Sequence, residues 1–233
     1  MIIYETYYKT TAAELLTEIR KAATAIGLVV SAEDSTHVLL TDGKFYYSYL
    51  SATSYIYESY STKSTYNGNY LTDAIFTKQI NAYSSPNYRI MVAAWKYKND
   101  YGIGAYGVGA TQYAFPVRLS RMETSAGRNV YVLTGDSTPS YYEDDGTTLG
   151  TWASQIASLT MNDPYSMYKR NQNVTGVGGL IIDNEFFKNA YNICLYSSLA
   201  DRKFELIAND GRYIFPSQSL GAAQNFIIKH EEV

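Results

Sequence analysis

Six residues, Gly102-Ile103-Gly104-Ala105-Tyr106-Gly107, reproduce the spacing G-x-G-x-x-G of dinucleotide-binding loops. That chemistry needs a strand before the glycines, a helix opening directly after them to face the pyrophosphate, and an acidic residue about 20 positions on. A hydrophobic run from Arg89 to Tyr97 does precede them, but Val108 to Pro116 carries Gly109 and Pro116 and shows no helical face. The segment reads as a Gly-rich bend between strands.

Nucleophilic catalysis needs a base beside a Ser, Thr or Cys, and the usual base is His. Only His37 and His230 exist. His37 adjoins an apolar strand start and His230 stands three residues from the end, so each reads as structural. Two His and one Cys lack the spacing of a zinc site. Cys194 lies in the run Tyr191 to Tyr196, which reads as a buried strand with the thiol as a small core hydrophobe. Asp136, Glu143, Asp144 and Asp145 could offer oxygens to calcium, but without the alternation of an EF-hand loop they read as a solvated acidic loop. Carboxylate pairs of the glycosidase kind meet only in the fold, so sequence leaves them open. These residues assign no enzyme activity, no cofactor and no metal.

The elements that position these residues are mostly strands. Thr11-Ala12-Ala13-Glu14 is a capping box, and Leu15, Leu16, Ile19, Ala22, Ala23 and Ile26 follow at helical spacing before Gly27. The pattern predicts an amphipathic helix over 12–26 with one face on a sheet. Leu28–Val30 and His37–Leu40 read as strands, and Asp42-Gly43 marks a hairpin returning through Lys44–Leu50. Ser54–Tyr60 continues the meander, Leu71–Ile80 offers a short helix, and Arg89–Tyr97, Gln112–Leu119 and Asn129–Leu133 are strands. Gly135–Gly150 reads as an exposed acidic loop, 151–160 as two helical turns around Trp152, and Met161–Gly179 as a flexible insertion. Leu180–Ile182, Asn189–Tyr196, Phe204–Ile207, Arg212–Phe215 and the stretch from Phe226 are strand-like, with Asn209-Asp210-Gly211 as a tight turn.

The class expected is α+β: one domain over 1–233, predominantly antiparallel sheet with the N-terminal helix packed on it and long loops. Its core draws on Leu15, Ile19, Ile26, Val38, Leu40, Val92, Val132, Ile181, Cys194 and Ile214. A net charge of −3 and a pI near 5.4 argue against a nucleic-acid-binding face. No apolar run approaches a membrane span, and the N-terminus lacks the pattern of a signal peptide.

Tyrosine is the outlier, at 25 residues against 8 Phe and 2 Trp. A ring with a polar tip suits half-wet strands and surfaces that become covered on assembly. Segments 51–86 and 136–179 are polar and weakly patterned yet Tyr-rich, and are expected to project toward neighbours. The interface candidates are Tyr55, Tyr57, Tyr60, Tyr66, Tyr70 and Tyr83 in the first, and Tyr141, Tyr142, Tyr165 and Tyr168 in the second.

The order of features resembles virion structural proteins of tailed bacteriophages, encoded among head, neck and tail genes. Members open with a short strand and a helix like Ala12–Ile19, then an alternating strand pair like Thr36–Leu50. A Gly-rich segment follows a hydrophobic strand, as in Ile90–Gly109, and the chain ends with a step like Tyr213-Ile214-Phe215-Pro216. The resemblance implies a subunit repeated around the particle axis, such as a neck, collar or tail ring. Its partners would be further copies of itself and other virion proteins, its location the virion assembled in the host cytoplasm, and it implies no chemistry. The alternative is a peripheral adhesin or fibre-type module that binds host surface glycans.

Overall fold

The computed structural model describes residues 2–8, 11–81, 89–108, 117–134, 140–151, 174–182, 185–195, 205–208, 211–214 and 224–231. The fold is α+β, with antiparallel sheets and one helix packed on them. Strand β1 (Ile2–Tyr8) is followed by α1 (Ala12–Ala25), then β2 (Val29–Glu33), β3 (His37–Thr41), β4 (Tyr46–Ala52) and β5 (Tyr55–Ser61). Next come β6 (Tyr66–Asn67), β7 (Tyr70–Leu71), β8 (Phe76–Asn81), β9 (Arg89–Tyr97) and β10 (Asp100–Val108). The chain continues through β11 (Leu119–Glu123), β12 (Asn129–Leu133), β13 (Ser140–Tyr142) and β14 (Thr148–Thr151). It closes with β15 (Val174–Ile182), β16 (Glu185–Leu195), β17 (Glu205–Ala208), β18 (Gly211–Ile214) and β19 (Gln224–Glu231).

The helix starts where the capping box places it. The Glu14 N–H donates to Thr11 Oγ1 at 3.2 Å and the Thr11 N–H donates to Glu14 Oε2 at 2.8 Å. It stops at Gly27, whose φ of +96° suits a residue without Cβ, with Leu28 N–H bonded to the Ala23 carbonyl and Gly27 N–H to that of Thr24. Leu15, Leu16 and Ile19 are buried, each contributing about 1.5–3 kcal/mol.

Three larger sheets and a two-stranded one form. The first runs β1-β9-β10-β11-β12-β13-β14, the second β2-β3-β4-β5-β8, and the third β15-β16-β19-β18-β17. The first sheet is the middle layer. On one face Val92, Ala94, Ile103, Tyr131 and Leu133 join α1 and the second sheet in the main core. On the other, Ala93, Trp95, Val130, Val132 and Tyr141 meet Phe187 and Ala190 of β16. The period-2 alternation of strands divides neighbouring residues between the two cores.

Leu15, Ile19, Ile26, Val38, Leu40, Val92 and Val132 are buried as expected. The side chains of Ile181, Cys194 and Ile214, residues 112–116 and the helical turns expected around Trp152 lie outside what is described. Several expectations are corrected. Leu71–Ile80 holds the last residue of β7 and most of β8 in place of a helix, because Ile80 pairs with Ile56 and Phe76 with Tyr60 across the sheet. Segment 51–81 does not project as a whole, since β5 lies inside the second sheet with Ile56 and Tyr60 fully buried. From Ser140 on, the acidic stretch forms the β13–β14 hairpin, with Tyr141 buried, and residues 174–179 begin β15 rather than ending an insertion. The glycines of the G-x-G-x-x-G segment lie within β10, not at a bend, opposite Trp95, Ala93 and Ile90 of β9.

Candidate functional site

The hairpin at Asp42-Gly43 carries a polar centre that its turn sequence does not announce. Asp42 Oδ1 accepts the Lys44 and Phe45 N–H groups, both at 2.8 Å, which fixes the turn. Asp42 Oδ2 accepts three phenols: Tyr47 from β4 at 3.2 Å, Tyr131 from β12 at 2.7 Å, and Tyr101 from β10. One carboxylate thereby fastens the second sheet to the first. Burial pushes all three phenols above their ordinary range; beside Tyr47 the next influence is Tyr101, and beside Tyr101 and Tyr131 it is the Asp42 charge.

Beside Asp42 opens a cleft of about 250 Å³, walled by Gly27 just past α1, by Val29 of β2, by Lys96 and Lys98 of β9 and its turn, and by Arg121 of β11. Arg121 Nη1 donates to the Asn99 carbonyl at 2.5 Å, and its guanidinium carbon lies 5.9 Å from the Tyr101 ring centre. Lys98 has φ +54°, a left-handed backbone uncommon for a side chain of its kind.

A second buried polar group sits deeper between the sheets. Tyr60 donates to Glu58 Oε1, the Ala105 N–H reaches the same oxygen at 3.4 Å, and the Tyr49 and Tyr60 hydroxyls are 3.2 Å apart. Burial raises the Glu58 carboxyl, and the charge of buried Arg118 opposes that rise. Arg118 in turn lies over Phe76, which stacks on Tyr60.

His37 of β3 shares a hydrogen bond with the Tyr66 hydroxyl, which is 2.7 Å from Ser48 Oγ on β4. The series resembles a nucleophile relay, but its electrostatics run the wrong way. Ser48 is fully buried, burial raises the Tyr66 phenol, and burial lowers His37 against the pull of Asp34. The relay clips the β6–β7 hairpin onto the second sheet.

Two carboxylate contacts tie the first sheet to β16. Asp100 accepts the Glu123 N–H and the Asn189 amide, both at 2.8 Å, and burial pushes its carboxyl up to about 6. Glu185 accepts from Thr124 and, at 3.3 Å, from Arg128, which also reaches Glu143 at 2.5 Å. Among the described residues no group of three or more His, Cys, Asp or Glu is arranged to hold a metal ion, and no helix is long and apolar enough to cross a membrane.

The interface candidates divide. Tyr60 and Tyr141 are core residues, Tyr141 stacking on Phe187 at 5.8 Å, so neither is open to a neighbour; a sequence pattern of Tyr among Ser and Glu hides this because Glu58 is itself buried. Tyr142 is half-buried against the main core, and Tyr66 is 37% exposed beside His37. Tyr55, Tyr57 and Tyr70 form one half-exposed patch, with ring centres 6.5 Å apart for the first pair and 5.5 Å for Tyr57 and Tyr70. Tyr83, Tyr165, Tyr168 and Asp136, and the side chains of Cys194 and His230, lie outside what is described. Sequence marks Asp42 only as a hairpin turn residue, and its grouping with the distant Lys98 and Arg121 is not legible there because they stand far apart along the chain. No family model, curated protein or solved structure matches this chain.

Proposed function

We propose that the chain is a structural subunit of a bacteriophage particle, a repeated ring or connector component of the neck or tail that holds neighbouring proteins together. The observation that carries this reading is the patch of Tyr55, Tyr57 and Tyr70 on the second sheet. Half-covered in the isolated chain, these rings hold apolar area that a neighbour would remove from water. Tyrosine anchors a contact at low entropic cost because only two side-chain torsions need fixing. The resemblance in element order supplies the particle.

The same patch suits a second reading, an adhesin or fibre-type module, since aromatic faces also stack on sugar rings. Mass measurement of the purified protein, with negative-stain images of its assemblies, separates the two. Rings favour the connector and elongated trimers the adhesin. A strict monomer that never enters a particle removes both.

A further inference from the structure

We propose that Asn67 is a site of spontaneous deamidation, which gives the β6–β7 hairpin and the tyrosines it carries a limited lifetime in their first form. The proposal goes beyond the assembly reading and does not depend on it. Asn67-Gly68 is the single Asn-Gly pair in the sequence. It stands at the tip of the hairpin, where Asn67 pairs with Tyr70 and the loop between them is Gly68-Asn69. Gly68 takes φ +65° at the first loop position, as a two-residue turn of type II′ requires.

Three observations make this pair reactive. Asn67 and Gly68 are both exposed, and nothing lies within 4 Å of where a Cβ of Gly68 would stand, so the path to its nitrogen is open. Among the described residues, neither the Asn67 side-chain amide nor the Gly68 N–H takes part in a hydrogen bond. Little holds the tip: β6 and β7 pair only with each other, through two residue pairs, and opening the outer one frees the Asn67 backbone to turn. Behind it the Tyr66 hydroxyl, 2.7 Å from Ser48 Oγ, and the Leu71 N–H, bonded to Ser59 Oγ at 3.0 Å, keep that opening local.

Two Asp-Gly pairs, which can cyclise by the same route, supply the contrast. The Gly43 N–H donates to Thr41 Oγ1 at 2.9 Å, and backbone N–H groups and phenols occupy both oxygens of Asp42. The Gly146 N–H donates to the Glu143 carbonyl at 3.0 Å, and Asp145 Oδ1 accepts the Thr147 N–H at 2.8 Å. In each, the attacking nitrogen and the carboxyl it would attack are both held. At Asn67-Gly68 neither is.

The Gly68 nitrogen, losing its proton to hydroxide, bonds to Asn67 Cγ; the Cγ–Nδ2 bond breaks, and that nitrogen takes a proton from water and leaves as ammonia. Water then opens the cyclic imide. Attack at Cγ breaks the new bond and leaves aspartate, whereas attack at the main-chain carbonyl breaks the original peptide bond and leaves isoaspartate. Nothing is oxidised or reduced. Either product places a negative charge at the tip, and isoaspartate lengthens the backbone by one carbon, so the Asn67–Tyr70 pair no longer closes. Tyr66, clipped to Ser48 and His37, and Tyr70, whose ring centre lies 5.5 Å from that of Tyr57, then lose their support.

Storage of the purified full chain in mildly alkaline buffer, followed by peptide mapping with mass spectrometry, tests the proposal. The peptide holding Asn67 should gain the mass that separates OH from NH2, ammonia should appear in step, and an isoaspartate-specific methyltransferase should label the product. Asn69, also exposed but followed by Tyr70, should convert about tenfold more slowly, because a side chain there crowds the attacking nitrogen. Asn67→Gln, which would have to close a larger ring, should fold and stay unmodified. Limited proteolysis should cut the hairpin faster in converted chains than in fresh ones. Survival of Asn67 while a free peptide of residues 64–72 converts, equal conversion of Asn69, the same acidic form in Asn67→Gln, or unchanged proteolysis of the isoaspartate chain would each overturn the assignment.

Discussion

The indole nitrogen of Trp95 occupies the space beside Gly102 where any other residue would carry its Cβ. The two face each other across β9 and β10, and a Cβ there would overlap Nε1 and stand 2.7 Å from Ser120 Oγ and 2.8 Å from Val117 Cγ1. The first glycine of the apparent nucleotide motif is thus a packing requirement of a buried tryptophan. Gly102→Ala should cost about 1–3 kcal/mol by overpacking, read from chemical denaturation. Trp95→Phe frees that space, so the alanine should cost less in its background than in the parent; equal costs would show that the indole is not what excludes the Cβ.

Asp42→Ala should lower stability by about 3 kcal/mol, because a charged acceptor serving several buried donors is removed at once. Tyr101→Phe and Tyr131→Phe should each cost about 1 kcal/mol. In alkaline absorbance titration the phenols of Tyr47, Tyr101 and Tyr131 should stay protonated after the exposed tyrosines have ionised, and release only with unfolding.

Asp100 predicts a pH dependence. Its carboxyl is raised from 3.8 to about 6 in the fold, so its stabilising contribution is complete below the lower value and is lost as pH rises through the upper one. The full change is on the order of 3 kcal/mol. Asp100→Asn, with the Asn189 amide turned over, should flatten the stability curve between those values. A curve with the same slope in both proteins would assign the dependence elsewhere.

The tyrosines of β5 should separate by position. Tyr60→Ser should destabilise the fold by about 3–5 kcal/mol through the cavity it leaves, whereas the double change Tyr55→Ser with Tyr57→Ser should leave the domain folded and weaken its assembly. Sedimentation alongside thermal melting reads both effects.

Local signals made part of this fold legible. Thr11 and Glu14 state a helix start in two residues, and Asp42-Gly43 states a hairpin, because each rests on contacts within a few positions. Leu71–Ile80 misled because its apolar residues fit a helix as well as a strand, and only the partner strand β5 decides between them. The Asp42 cleft was hidden for the same reason in stronger form. Its carboxylate, phenols and cations come from strands far apart in sequence, and nothing in any one of those strands marks it.

Strand β1 takes its place beside β9, with the whole second sheet between them in sequence. Strands β2 to β5 each pair with the next, so they can close as they emerge from the ribosome. Ile2–Tyr8 must wait until its partners Arg89 to Trp95 have been made. During that interval an apolar, tyrosine-rich strand travels with a bare edge, the arrangement most exposed to pairing with another nascent chain. Closure of the first sheet is therefore a late, long-range event, and the rate at which full-length chains mature should be set there rather than in the hairpins.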